Sequence, residues 1–468
     1  MKKKLAVVII SALVALTAFA QTPKYVFYFI GDGMGVNQVG LTEMFNKALA
    51  TGEFGCENLN FSNFPVATFA THYSASSDVT DSAASGTALA TGTKTINGYL
   101  GVDVNEEPLT SIAARAKASG KKVAIMSTVG VNHATPGAFY AHQPSRNMYY
   151  QIALDMIPAG FDFYSGSNVI EDDRLHDGTP MAEPATKKIA EAGYTVCNYA
   201  EFEECYKTAE KVLVNPSKGE KVQYAIDAQY TPENQRITLK KMVESSVKFL
   251  MKDGCKNGFF LMAEGGKIDG ACHSHDAGTT VNEVKDLAEA VQVAIDFYNK
   301  YPKQTLIVIT ADHETGGLIY DCKKPEELAL LANQKHSINV ISGMLKDKMK
   351  NNGKPLTWEE TKAFLTEQFG LWDSVPVKWE QEKSIRDLYE TTVAKNKAGH
   401  EKDLYSDNAK IVAAAAKIFY KNIKIHWVDS HSSGYVPVYA LGAGSSSFSH
   451  KTDNAEIAKT IATVAKYK

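Results

Sequence analysis

The sequence predicts an α/β protein: a large, mostly parallel central sheet flanked by helices on both faces, with a helical insertion. Three observations carry that prediction. Short, unbroken apolar runs recur along the chain: YVFYFI (Tyr25–Ile30), VAIM (Val123–Met126), GFFLM (Gly258–Met262), TLIVIT (Thr305–Thr310) and VPVYAL (Val436–Leu441). Strands without polar alternation belong in a sheet buried on both faces. Helical patterns separate these runs, and that alternation is the signature of an α/β layer structure. The 468 residues, 44% hydrophobic and 22% charged, also supply enough chain for a large core.

From the N-terminus, Lys2, Lys3 and Lys4 precede an apolar stretch, Leu5 to Ala20, that closes on Ala18-Phe19-Ala20. This is the pattern of a cleaved export leader, residues 1–20, with residues 21–468 as one domain. The stretch is short for a membrane span, so no stable membrane anchor is expected. Outside the first four residues there is no dense Lys/Arg run, and the net charge is -3, so a nucleic-acid partner is not expected.

After the first apolar run, DVTDSAASGTALATG (residues 78–92) opens a helix. Thr80, Asp81 or Ser82 could each cap it, and the small residues after Ser82 would let an anion approach the helix end. Pro108 to Ser119 reads as a helix stopped by Gly120. Val281, Val284, Leu287, Val291 and Ala294 recur at helical spacing after Thr279. Residues 324–425, Lys/Glu-rich with Trp358, Trp372 and Trp379, read as a helical region inserted over the sheet. Of the six cysteines, Cys197 and Cys205 are the close pair in which a disulfide is conceivable in an exported chain.

Ligands of open α/β sheets sit beyond the carboxyl ends of the strands. The residues there are polar and metal-like. Asp32 follows the first run between glycines. After GFFLM come Glu264, Asp269 and His273, and a carboxylate with an imidazole suits zinc, whereas further oxygens suit magnesium. His275 reads as a solvated histidine. Asp312 and His313 follow TLIVIT, and His431 precedes VPVYAL. After VAIM lie His133, Thr135 and Arg146, the last able to grip phosphate or carboxylate with two parallel hydrogen bonds. Together they form the inventory of a two- or three-metal hydrolase.

The motifs D-G-M-G, D-S-A-A-S-G-T-A, H-A-T-P, E-G-G-K-I-D, C-H, T-A-D-H-E-T-G-G and the histidine before V-P-V stand in the order of the alkaline phosphatases. The chain resembles that family from Asp32 to about Gly442. The resemblance implies an alkaline-phosphatase-like fold and a phosphomonoesterase with two Zn2+ and one Mg2+, the third site open to Zn2+. It implies that Asp32, Asp312 and His313 hold one zinc, and that Asp269, His273 and His431 hold the other. Thr135 and Glu264 would complete a third site with Asp32. Ser82 resembles the phosphorylated nucleophile and Arg146 the phosphate clamp. Small phosphomonoesters would be the substrates and the assembly a homodimer, while the leader itself implies a periplasmic or secreted location. Two departures stand out. His133 takes a position where some members have Asp, which makes it a neighbour of the third metal. Gly270 stands where others carry Lys, His or Trp.

The rival readings are a phosphodiesterase or sulfatase on the same scaffold, and a non-catalytic exported metal or phosphate binder. His142-Gln143-Pro144-Ser145-Arg146 imitates a sulfatase motif, but His142 cannot serve as its nucleophile.

Overall fold

The computed structural model describes residues 22–171, 178–179, 181, 183–217, 219–351, 355–397, 404–428 and 430–468. The leader read at residues 1–20 lies outside them. Among the described residues, no helix is long and apolar enough to cross a membrane.

The strands are β1 (Tyr25–Gly31), β2 (Val66–Thr71), β3 (Lys122–Ser127), β4 (Phe163–Ser165), β5 (Thr195–Cys197), β6 (Val212–Val214), β7 (Phe259–Gly265) and β8 (Thr305–Ala311). Next come β9 (Glu314–Thr315), β10 (Ile319–Tyr320), β11 (Ile425–His426), β12 (His431–Ser432), β13 (Val436–Gly442) and β14 (Thr452–Asp453). Ten of them form one sheet in the order β14-β2-β13-β8-β1-β7-β3-β4-β6-β5. The run from β8 to β5 is parallel throughout. Every residue of β1, β7 and β8 is buried, so both faces at the centre of the sheet are covered, as their unbroken apolar sequences require. Phe27, Phe29, Phe259 and Phe260 are each fully buried there, worth about 1.5–3 kcal/mol apiece before entropy is counted.

Two local expectations change. VPVYAL becomes β13, which runs antiparallel between β2 and β8 and is only partly buried toward its end. The helix read over Pro108–Ser119 is shorter, Ile112–Ala118. Ser111 caps it by accepting from the Ala114 N–H, and Pro108 is instead bridged to Val102. A cap side chain fixes a helix start better than apolar spacing does. The helix after the GFFLM motifs spans Ala277–Lys300, capped by Asp276.

Helices Pro325–Ala329, Ile338–Asn351, Trp358–Phe369, Trp379–Lys397 and Leu404–Asn422 occupy the Lys/Glu-rich region. They share an apolar cluster with Leu41, Phe45, Ala277 and Val281 from the helices Val36–Thr51 and Ala277–Lys300. Cys197 and Cys205 are free thiols, not the disulfide that their spacing allowed.

Register is what positions the site. Gly31 pairs with Gly265 on one side and with Ala311 on the other, and Ser127 pairs with Glu264. The carboxyl ends of β1, β3, β7 and β8 therefore finish level, and the residues after them open into one place.

Candidate active site

At that level edge, Asp32 and Asp312 follow adjacent strands, and neither is exposed. His313 Nε2 lies 3.4 Å from Asp32 Oδ1 and 3.4 Å from Asp312 Oδ2. These three form one compact set of potential metal ligands; Asp269, His313 and His431 form a second that overlaps it through His313. His273 joins the second set: its Nε2 is 3.1 Å from His431 Nε2 and 3.4 Å from Asp269 Oδ1. Asp269 and His273 face the same way because they are four apart on the helix Lys267–His273. His431 is delivered by β12, which pairs antiparallel with β9 and sets His431 opposite Thr315. Its Nδ1 bonds the Thr80 carbonyl at 2.9 Å.

A third group of oxygens lies beside the first set. Glu264 is fully buried and accepts from Ser127 Oγ, and Thr135 Oγ1 donates to Asp312 Oδ2 at 3.2 Å. The structure thus brings together all the metal-site residues expected from the sequence. His275 does not join them: it stacks on Trp427, with ring centroids 5.5 Å apart.

The electrostatics of this cluster are those of a site built for cations. Both oxygens of Asp32 and one of Glu264 are buried with no hydrogen-bond partner among the described residues. Leaving such groups unpaired costs about 1–3 kcal/mol each, and more when charged. Burial, then the Asp312, Asp269 and Glu264 carboxylates, push the Asp32 acid well up. Burial likewise pushes Glu264 up to about 8 and Asp312 up to about 6. Burial and the neighbouring His431 hold His313 well below the usual imidazole range, so it stays neutral, the form that ligates metal. Asp269 is the exception. Burial raises it, but the nearby His431, His313 and His273 imidazoles and the hydrogen bond from Thr315 more than offset that, and the acid sits below its usual range. The donor set of carboxylates, imidazoles and hydroxyls fits zinc in the two histidine-bearing sets. It fits a harder cation near Glu264 and Thr135.

Ser82 begins the helix Ser82–Thr91 and is 2% exposed. The cap is Asp81, which accepts from the Ala84 N–H at 3.0 Å. Ser82 Oγ is thereby free of capping and stands 3.1 Å from His313 Nε2. Arg146 reaches the same helix end: one nitrogen lies 3.1 Å from Asp81 Oδ2 and the other 3.4 Å from His133 Nε2. Burial and the Arg146 charge push His133 down to about 4, so it is neutral beside the guanidinium.

One sequence expectation needs correcting. The small residues after Ser82 do not all leave room for an anion. A Cβ on Gly86 would come within 3.1 Å of the Thr135 backbone, and Ser85 Oγ donates to the Asp312 carbonyl at 2.6 Å. Their smallness seats the helix against the segments carrying Thr135 and Asp312. Replacing Asp81 with Ala should therefore cost about 0.5–2 kcal/mol of stability by loss of the cap and loosen Arg146 as well. Asp81→Asn should keep most of the cap, so thermal melts of the two variants against Arg146-dependent kinetics separate the two roles.

Sequence reasoning missed Thr315, which donates to Asp269 Oδ1 at 2.6 Å and meets His313 Nδ1 at 3.1 Å, orienting a ligand of each set. Period-two spacing from His313 along an extended segment was the available signal. It also missed Ser127, the partner of Glu264 at the end of β3.

The family model described as alkaline phosphatase matches residues 23–178 and 192–467. Alkaline phosphatase 4 of Bacillus subtilis (strain 168) is 30% identical over 399 residues, which is 83% of this chain and 77% of that protein. The crystal structure of a cold-active alkaline phosphatase from a psychrophilic Shewanella sp. superposes with a TM-score of 0.75 at 27% identity, covering 94% of this chain and 99% of that one. That of Thermus thermophilus alkaline phosphatase superposes at 0.74 and 22% identity, covering 97% and 95%, and shares the fold.

Proposed function

Because this chain belongs to the alkaline phosphatase family of phosphoric monoester hydrolases, we propose that it cleaves small phosphomonoesters through a phosphoserine at Ser82. The observation that carries this reading is the Ser82 hydroxyl. It is relieved of capping by Asp81 and set 3.1 Å from His313 at the head of a ten-residue helix. The orphaned Asp32 oxygens support a metal-dependent reaction. Asp32, Asp312 and His313 would hold one Zn2+; Asp269, His273 and His431 would hold the second. Asp32, Thr135 and Glu264 would hold the third metal, Mg2+ or Zn2+, with His133 close by. Bound there, the metals would offset the clustered carboxylates and act as Lewis acids toward the serine hydroxyl and the ester oxygens.

The chain's own residues supply the rest. Ser82 Oγ attacks phosphorus in line; the new Oγ–P bond forms as the P–O bond to the alcohol breaks, and the alcohol leaves with a proton. Water then attacks the phosphoserine, releasing inorganic phosphate and restoring the hydroxyl. Arg146, held by Asp81, offers two parallel N–H groups to the non-bridging oxygens. The helix end adds its partial positive charge. A monoester dianion suits this clamp better than a diester, whose second ester group would have to fit against the guanidinium.

Export through the leader at residues 1–20, to the periplasm or the medium, belongs to the same proposal. So does a homodimer. The test is turnover of an aryl phosphate, a bis-aryl phosphate and an aryl sulfate by the metal-loaded protein. The monoester should be preferred in kcat/KM by several orders of magnitude. Preference for the diester or the sulfate overturns the reading, and phosphate binding without turnover makes the protein a binder.

A further inference from the structure

Around the helix Lys267–His273, residues lie 100° apart in projection. Asp269, His273, Gly270 and Lys267 therefore follow one another as a continuous stripe, with Gly270 flanked by a candidate metal ligand on one side and Lys267 on the other. Gly270 has no side chain to offer, and the space is taken from elsewhere. A Cβ built on Gly270 would stand 2.8 Å from Tyr224 Oη, closer than real Cβ contacts, but 3.9 Å from Tyr224 Cζ, an ordinary contact. A side chain at position 270 would therefore displace the phenol hydroxyl.

Tyr224 is held firmly in that place. Lys267 Nζ lies 5.1 Å from the centre of its ring. The next residue, Ala225, donates its N–H to the buried Glu283 on the helix Ala277–Lys300 at 2.5 Å. Tyr224 itself precedes the short helix Ala225–Ala228, packed on that same long helix. Resting on the phosphatase reading, we infer that Tyr224 is a positioning residue for the substrate's phosphoryl group, its Oη donating a hydrogen bond from the Gly270 side of the pocket, directly or through one water. Burial and the surrounding Glu283, Asp276, Asp269 and Asp227 carboxylates raise the phenol, so it remains a donor in alkaline solution. Tyr224 is missing from the strand-end residues because it precedes the short helix Ala225–Ala228 rather than following a strand, and Gly270 makes its approach possible.

The test is a double-mutant cycle on the metal-loaded protein, read as KM for p-nitrophenyl phosphate, the inhibition constant of inorganic phosphate, kcat, metal content and melting temperature. Tyr224→Phe should raise KM and the phosphate inhibition constant together, by about ten-fold, the loss of one hydrogen bond to a charged group, with kcat within about three-fold. Metal content and melting temperature should not move. Gly270→Ala should produce a similar rise by displacing the hydroxyl. In the Tyr224→Phe background it should add less than about two-fold, because the atom it strikes is gone. Unchanged phosphate affinity in Tyr224→Phe, or full additivity of the two substitutions, overturns the inference and leaves the phosphatase reading intact. If the unsubstituted protein neither turns over the monoester nor binds phosphate by calorimetry, the phosphatase reading itself fails.

Discussion

Replacing Ser82 with Ala should lower kcat for an aryl phosphate on the order of 10^5-fold while leaving the metal content and the melting temperature of the protein unchanged. The size follows from removing a nucleophile whose partners act as a unit. The sparing of stability follows from the cap. Asp81, not Ser82, holds the Ala84 N–H, so the helix keeps its start without the hydroxyl. Acid-quench trapping with labelled phosphate gives the sharper readout. The parent protein should retain label on Ser82 at low pH, and the variant should retain none. Label trapped elsewhere, or near-normal turnover in Ser82→Ala, would remove Ser82 from the chemistry.

Stripping the metals should abolish turnover and also leave a fold whose stability runs against the usual pH trend. In the metal-free protein Glu264 is raised to about 8 and Asp312 to about 6, first by burial, and Asp32 is raised as well. Unfolded carboxyls titrate near about 4. Between those values the folded state binds more protons than the unfolded state, so stability falls as pH rises. The metal-free protein should therefore melt higher at about pH 5.5 than at about pH 8.5. Asp32→Asn should go further. It removes a charge that no described hydrogen bond satisfies, so it should stabilise the metal-free protein at about pH 8.5 by about 1–3 kcal/mol, while costing the loaded protein nearly all its activity. Differential scanning calorimetry of both proteins, with and without chelator, checks the crossover. A destabilised metal-free Asp32→Asn would mean that Asp32 serves the fold rather than a cation.

The central sheet was legible because nothing competes with apolar continuity there. β1, β7 and β8 are buried at every position, and their sequences announce it. β13 reads the same but lies partly exposed and antiparallel, because an apolar run specifies burial and carries no direction. The candidate metal ligands were legible because they follow strand ends or share one helical turn. His431 follows no long strand, and the resemblance located it by its distance to Val436-Pro437-Val438. Arg146 and Asp81 could each be suspected alone, but their 3.1 Å pairing depends on how the loop after β3 folds back, which no local pattern encodes. Tyr224 was invisible for the same reason: a tyrosine in a loop acquires meaning only when the missing Cβ of Gly270 lets it in.

The same register that levels the strand ends has a kinetic consequence. Ser82 and His313 are 231 residues apart, and His273 and His431 are 158 apart. The strand at the middle of the sheet joins partners from the second half of the chain. Topologies dominated by such distant pairings close slowly, since loop-closure entropy is lost before contacts return it. The cluster cannot form until the segment that carries His431 has been made and paired, because it joins that segment to His273, 158 positions earlier in the chain. The nascent polypeptide therefore lacks the assembled cluster until these distant segments have met.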